Sequence, residues 1–588
     1  MDSALSQAAA ARLRPVGPLH MPPPAQPLNA VIELSLTGST SQPEVHLVDS
    51  RRNLSWRALM TAAGDRTWHA TIRLPAAPTI VTYHFEFADA PPLLEQRQYE
   101  GETTPHYGEW FTRPFQIAVY DPARMPADWT QGMVIYQIFP DRFANGEPGN
   151  DRLTHGVYGH PPIFKSWGEL PEAPPLGRDF FGGDLRGVIA KLDYLVNLGV
   201  ECLYFNPIFA APTNHRYEAI DFMQIEPMLG DDAVFDQLIA EAHARGIRVI
   251  LDAVFNHCSA DSVYYQAAQS SRESPYYRWF SFTQWPHNAV GWAGFGFMPE
   301  FVECPEMEHY FNGPAGVTAH WLRRGIDGWR ADVAPDNSDA FWRGFRLAAE
   351  SVRPDAYLVA EHWVDSSHYL LGDTFSAAMN YRFTWAVRGF LVLGRLTPSE
   401  FDDRLMTWLR DTPPPARHAQ MNLLSSHDTD RLLTLCGGDR RKFQQAMAFM
   451  LAYVGAPTIY YGDETGLEGS GPEDGRRTMP WDALDAELGA FFKAAIALRR
   501  GSPALRTGEV ETVVIDDAER AYVFARRAAA SVVYAAFNAS DADTEIEIVL
   551  NEGTTDWRVV LGQAVISAAD DQLTVMLPAR GFPWLARP

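Results

Sequence analysis

From about Leu28 to Tyr120 the chain alternates apolar and polar positions in short runs, NAVIELSLTG, TWHATIRL and IVTYHFEFADA, separated by turn-forming residues. Side chains alternate between the two faces of a strand, so this period predicts half-buried strands packed as a β-sandwich. The segment DPARMPADW, Asp121 to Trp129, carries two prolines and reads as a linker to the next domain. Beyond it the pattern changes to apolar runs that end in polar residues: MVIYQIFPDRF, ECLYFNPIFA, IRVILDAVFNH, IDGWRADVA, AYLVAEHW, AAMNYRFT, AQMNLLSSHD and APTIYYGDE. Continuous apolar runs are expected of parallel strands covered on both faces. Stretches between them, such as DDAVFDQLIAEAHARG, have helical spacing and a glycine stop. Eight such units predict a (β/α)8 TIM barrel, whose strand-end polar residues gather at one open face.

After the third strand, between Asn256 and about Glu303, YYRWFSFTQWPHNAVGWAGFGFMPEF is too long for an ordinary connection and predicts a lid subdomain over that face. From about Pro503 alternation returns in AYVFARR, SVVYAAFN, TEIEIVL and WRVVLG. The predicted organisation is a disordered arm over residues 1–27, an N-terminal β-sandwich over 28–122, an α/β barrel over 123–502 with its insert at about 257–303, and a C-terminal β-sandwich over 503–588.

Composition narrows the function classes. A chain of 588 residues exceeds what one core supports, and 46% hydrophobic with 21% charged residues is the balance of folded domains. The net charge of -24 argues against nucleic acid as a partner, because phosphate-backbone binders need clustered Lys and Arg. No apolar stretch nears the ~18 residues of a membrane span. The N-terminal Ala run is broken by Arg12 and Arg14 and followed by prolines, so it lacks a secretion core, and a cytoplasmic location is expected. Cys202, Cys258, Cys304 and Cys436 form no C-x-x-C pair, which argues against a disulfide scaffold or a cysteine zinc site. Aromatic residues make up 12% of the chain, and their flat faces suit sugar rings, although most Trp residues serve cores.

Glycoside hydrolysis needs two carboxyl groups flanking the scissile bond, one protonated and one ionised. Asp332, Glu361 and Asp428 stand at predicted strand ends. Arg330 and Asp332 are two apart on a strand, so both point the same way and Arg330 can hold Asp332 ionised. Glu361 sits among apolar and aromatic residues, which favour the protonated form. His427 beside Asp428, and Asp252, Asn256 and His257 in DAVFNH, add hydroxyl-binding groups at the same mouth. Taken singly, each could be a structural ion pair or a buried histidine; together, at four strand ends, they point to a site.

These segments resemble the motifs of the α-amylase family of glycoside hydrolases, specifically its cyclomaltodextrinase, neopullulanase and maltogenic amylase group. DAVFNH, GWRADVA, AEHW and LLSSHDT stand in order, joined by VECLYFNPIFAAPTNHRYEAIDF and APTIYYGDETGLEG. The resemblance implies Asp332 as nucleophile, Glu361 as general acid/base and Asp428 as transition-state stabiliser. Arg330, His257 and His427 would support the same subsite, and Tyr217 would be its stacking platform. It implies a retaining hydrolase of cyclomaltodextrins and short maltooligosaccharides, with pullulan and starch as further candidates. A transglycosylase or isomerase of the same family is the alternative, and an inactive carbohydrate-binding protein a third reading. The subgroup's usual insert motif is Met-Pro-Lys-Leu-Asn, whereas this chain has Met298-Pro299-Glu300-Phe301-Val302, and Pro335 and Asp336 stand where Asn-Glu is typical. Similar loops in the subgroup bind calcium; here Asn145, Glu147, Asn150, Asp151, the Gly182 carbonyl and Asp184 form an oxygen-only set suited to a structural calcium. The resemblance further implies a homodimer built through the N-terminal domain, with an α-glucan oligosaccharide as substrate.

Overall fold

The computed structural model describes residues 19–101, 109–154, 156–550, 553, 556–569 and 571–587. Its centre is a ring of parallel strands: β1 (Ile135–Ile138), β2 (Cys202–Phe205), β3 (Arg248–Ala253), β4 (Gly328–Ala331), β5 (Tyr357–Ala360), β6 (Ala377–Ala378), β7 (Met421–Leu423) and β8 (Ala456–Tyr460). Successive strands from β1 to β6 pair, as do β7 with β8 and β8 with β1, and a bridge between Met379 and Met421 closes the ring. Every residue of β1, β2, β4, β5, β7 and β8 is buried, which is why these runs read as continuously apolar. The barrel predicted from these segments is the barrel observed. The helices begin where the sequence offers caps: Asp231 accepts from Val234 N, Ser338 accepts from Phe341 N, and Thr397 with Glu400 forms a capping box.

Before the barrel, a five-stranded and a three-stranded sheet enclose Leu34, Val45, Leu47, Val81, Phe85 and Ile117. The strand Thr79–Glu86 alternates buried and half-buried residues as its sequence period requires. After the barrel, a second pair of sheets begins at Glu509, behind the short helix Pro503–Thr507. All four cysteines are buried and free. No helix of the described residues is long and apolar enough to cross a membrane.

Two expectations need correction. Residues 1–18 of the predicted arm lie outside the described residues, but residues 19–27 are not loose. Leu19 and Thr37 exchange backbone hydrogen bonds, and Gln26–Pro27 adds a parallel strand to Phe115–Tyr120. His20 packs against Tyr83, Phe85 and Phe115, and burial pushes its imidazole down to about 4. The prolines that suggested disorder leave enough backbone donors for these few bonds. Most aromatics of the insert also do something other than roof the mouth. Tyr264, Trp279, Phe280 and Phe301 pack on one another as a small core, and only its later part, from Trp292 to Met298, reaches the cavity at the open face of the barrel.

The flanking domains are fastened to the barrel by charge. Arg97 bonds Glu95 and Asp411, Arg113 reaches Asp365 at 3.4 Å, and Arg382 bonds Glu100 and Asp411. At the other end, the helix Arg440–Ala452 finishes against two buried guanidinium groups. Arg499 donates to Leu451 O and Tyr453 O, and Arg526, from the C-terminal sheets, donates to Ala452 O. A cation at this end complements the helix dipole and satisfies carbonyls that have no partner within the helix.

Asp327, just before β4, gathers His243 at 2.8 Å, Arg248 at 2.7 Å, Arg353 and the Val249 amide. Burial pushes its carboxyl up, but His243, the amide and the arginines outweigh it and hold it below the usual range. A depressed carboxylate contributes stability that is present above its unfolded value, about 3.9, and is lost as pH falls through the folded value. Asp327→Asn takes the counter-charge from Arg248 and Arg353 and is expected to destabilise by about 3 kcal/mol at pH 7. Thermal midpoints measured against pH should show the gap to the parent protein narrowing below about pH 4.

Candidate active site

Arg330 is fully buried in β4 and forms the floor of the site. The ladder sets Asp252 of β3 directly beside it, and its Nη1 donates to Asp252 Oδ1 at 2.8 Å and to Asp332 Oδ1 at 2.7 Å. Its Nη2 lies 3.0 Å from Glu361 Oε2, just past β5. One guanidinium thus touches three carboxylates from three consecutive strands. Val333, next to Asp332, adopts φ +40°, a left-handed conformation that costs a β-branched residue energy. That turn aims its amide at Glu361 Oε2 at 2.8 Å, while Trp363 Nε1 donates to Oε1 at 2.9 Å. Both oxygens of Glu361 are therefore oriented by the chain on either side.

The remaining groups surround this floor. Tyr204 and Tyr217 donate their hydroxyls to Asp252 Oδ2 at 2.7 and 2.9 Å. Gln137 Nε2 donates to His427 Nδ1 at 2.8 Å, which leaves the proton on Nε2, 3.0 Å from Asp428 Oδ2. Tyr217 stacks on His427 with centroids 5.3 Å apart. Arg476 stands 3.6 Å from Asp428 Oδ1 and donates to the His427 carbonyl. Burial pushes Asp428 up, but His427 and then Arg476 outweigh it and hold the carboxyl well below its ordinary range. Asp332 moves the other way: burial raises it well above the usual range, Arg330 pulls it down, and Glu361 pushes it up again. The push from Glu361 exists only while Glu361 is ionised, so a proton on Glu361 releases Asp332 to the anionic form that Arg330 favours.

A cavity of about 920 Å³ opens over these groups. Asp332, Glu361, Asp428, His257, His427 and Tyr217 line it. Arg330, Asp252 and Asn256, expected to touch substrate, stand behind that layer instead. Arg330 and Asp252 spend their polar atoms on neighbours, and Asn256 donates to Asp336 Oδ2 at 3.4 Å. His257 is the opposite case: neither ring nitrogen has a partner, and burial pushes the imidazole down to about 4, so it faces the cavity neutral. Trp292 stacks on it at 5.3 Å and donates Nε1 to Asp336 Oδ2 at 2.9 Å. Asp336 therefore ties the insert to the barrel. Glu300 pairs with His257 in the insert's backbone, and its carboxyl is raised by burial and by Asp336.

Sequence reasoning missed Trp363, Trp292, Arg476 and Gln137. Trp363 was marked only by its place two residues beyond Glu361. Arg476 comes from a loop after β8 with no distinguishing pattern, and its role arises only on folding.

In the loop expected to hold calcium, the Asn145 and Asn150 carbonyl oxygens are buried without a partner. Asn145 Nδ2 donates to Asp151 Oδ1 at 2.8 Å, and a Cβ added at Gly182 would sit 2.6 Å from both. Orphaned amide oxygens beside a carboxylate fit an oxygen-liganded cation. Glu147 and Asp184 depart from the expected set. Glu147 turns outward to Arg186 at 2.5 Å. Asp184 caps the helix Leu185–Ala190, accepting from Gly187 N, Glu147 N and Gly146 N.

The profile described as alpha amylase, catalytic domain, matches residues 137–315 and 303–487. An amylopullulanase of Thermoanaerobacter thermohydrosulfuricus is 36% identical over 553 residues, which cover 81% of this chain but only 37% of that longer protein. Neopullulanase 2 of Thermoactinomyces vulgaris is 40% identical over 432 residues, covering 72% of this chain and 69% of its own. A solved cyclomaltodextrinase structure superposes with TM-score 0.73 at 29% identity, covering 97% of this chain and 99% of that one. With the barrel, the ordered strand-end carboxylates and these matches agreeing, the chain belongs to the α-amylase family of glycoside hydrolases.

Proposed function

We propose that the protein is a retaining hydrolase of α-glucosidic bonds in cyclomaltodextrins and short maltooligosaccharides. The observation that carries this reading is the single buried guanidinium that touches both Asp332 and Glu361 beneath a cavity large enough for several sugar rings. Retaining enzymes hold their two carboxyl groups about 5 Å apart, close enough for one to attack the carbon whose oxygen the other protonates. Glu361 delivers a proton to the glycosidic oxygen as its bond to the anomeric carbon breaks. Asp332 closes on that carbon and forms a glycosyl ester. Glu361 then takes a proton from water, whose oxygen attacks the same carbon and frees Asp332. Asp428, held ionised by His427 and Arg476, accepts hydroxyl hydrogens of the reacting sugar, and the neutral His257 ring offers a further donor or acceptor. Tyr217, stacked on His427, gives the ring an aromatic face. Trp292, Phe295 and Phe297 extend apolar wall along the insert.

The purified protein, incubated separately with cyclomaltodextrin, pullulan, starch and maltotriose, is expected to open the ring faster than it cuts starch. Asp332→Asn should lower kcat by more than about a thousandfold while leaving the fold intact. Transfer or isomerisation of maltose without net hydrolysis would replace the hydrolase reading with the transferase one.

We also propose a structural calcium held by Asn145, Asn150, Asp151 and the Gly182 carbonyl. The carbonyl oxygens left without partners support it. Calcium should raise the thermal midpoint and EDTA lower it, Asp151→Ala should abolish the difference, and Glu147→Gln should preserve it.

A homodimer through the N-terminal domain is part of the same reading, supported by Leu54, Leu59 and Trp110, each more than half exposed there. Sedimentation equilibrium at assay concentration is expected to give twice the chain mass; a monomer would remove the proposal.

A further inference from the structure

The N-terminal sandwich carries a second cluster of donor atoms, away from the catalytic cavity. Strands Glu44–Asp49 and Thr79–Glu86 run antiparallel, and their register sets His46 opposite His84 and Glu44 opposite Glu86. Side chains two apart on a strand share a face, so Glu86 lies beside His84 on the outer side of the sheet. His84 Nε2 is 3.2 Å from Glu86 Oε1, and His46 Nδ1 is 4.0 Å from the same oxygen, beyond hydrogen-bonding reach. The two imidazoles meet edge to face with centroids 5.1 Å apart. All three donor atoms lie within 4.8 Å of one another. The other oxygen of Glu86 is held separately: Arg57 Nη1, from the adjoining strand Leu54–Leu59, donates to Glu86 Oε2 and to Glu44 Oε2, each at 2.8 Å.

We propose that His46 Nδ1, His84 Nε2 and Glu86 Oε1 form a binding site for a zinc-type divalent cation, with water in the fourth position. Two imidazoles and one carboxylate are a set that zinc accepts, with bonds of about 2.0–2.2 Å. In a tetrahedron of that size the donors stand about 3.3 Å apart. His84 and Glu86 already have that separation, and His46 needs only a small side-chain rotation to reach it. The ladder fixes the three backbones before any ion arrives, so binding costs little rearrangement. Arg57 supplies what metal sites commonly take from their surroundings, a hydrogen bond on the non-ligating carboxylate oxygen that orients the ligating one. The nitrogen donors separate this site from the oxygen-only loop at Asn145, which suits calcium. The side chains are 22 to 35% exposed, open enough for an ion to enter. The ion would join two strands of the five-stranded sheet one strand in from its Leu54–Leu59 edge, and so brace the sandwich without touching the cavity.

The test uses the full-length protein without a histidine tag, stripped with chelator and returned to buffer containing calcium. Titration calorimetry with zinc chloride is expected to show one equivalent bound, and cobalt substitution should give the absorption of a four-coordinate ion. His46→Ala, His84→Ala and Glu86→Gln should each weaken zinc binding by about tenfold or more. Arg57→Gln, which keeps all three ligands, should retain measurable binding. Zinc-free thermal midpoints verify that each variant is folded. Zinc binding undiminished in the His46→Ala/His84→Ala double variant would place the ion elsewhere and overturn the proposal, as would no binding by the parent protein at micromolar zinc.

Discussion

A buried cation cannot be left alone, and Arg330 is a fully buried cation at the centre of the barrel. Its charge has to be met by carboxylates, and those within reach arrive from β3, from the end of β4 and from the end of β5. Meeting it with several carboxylates over-supplies negative charge, and burial with the nearby carboxylates raises Asp332 well above the usual range. The same electrostatic condition that makes the floor of the barrel stable therefore holds two carboxyl groups of unlike surroundings, Asp332 and Glu361, against one cation. Asp428 is kept out of that sharing by the His427 ring N–H and the Arg476 guanidinium, which hold its carboxyl well below the ordinary range. Three carboxylates that look alike in the sequence are thus set apart by what surrounds each of them.

Much of this was legible before folding. A parallel barrel writes itself as buried runs because helices cover its outer face, and the polar residues at each run's end then have only one place to go. The pairing of Arg330 with Asp332 comes from the period of a strand. What the sequence did not reveal was which polar residues stand in the front layer and which behind it. Asp252 and Asn256 share a motif with His257, yet only His257 faces the cavity. That choice is made by competition for partners across β3 and β4, and no local pattern records it. Glu147 is a related case: its spacing suits a cation loop, and in the fold its carboxylate pairs with Arg186. The segment 19–27 was missed because a few edge bonds, a two-residue strand and one buried imidazole leave no periodicity.

The insert is joined to the barrel through a carboxylate. Asp336 occupies itself with Trp292 and Asn256, so the insert's cavity-facing tryptophan is pinned to the barrel. Trp292, stacked on His257 and bonded to Asp336, forms a wall of the cavity tied to the barrel. The N-terminal sandwich meets the site from the other side. Asp365, bound by Arg113 and Gln116, lies four residues beyond Glu361, so the loop carrying Trp363 and Val364 is held between Glu361 and the neighbouring domain.

The helix Arg440–Ala452 ends on guanidinium groups from Arg499 and Arg526. A chain is made from its amino end, and the residues of β8 leave the ribosome well before Arg526 does. Until Arg526 is made, the barrel has all of its strands but the Ala452 carbonyl lacks its guanidinium partner. The sheets that follow the barrel thus complete a helix of the core made before them, and a chain cut short before Arg526 would keep every carboxylate of the site while lacking one of the two cations that close that helix.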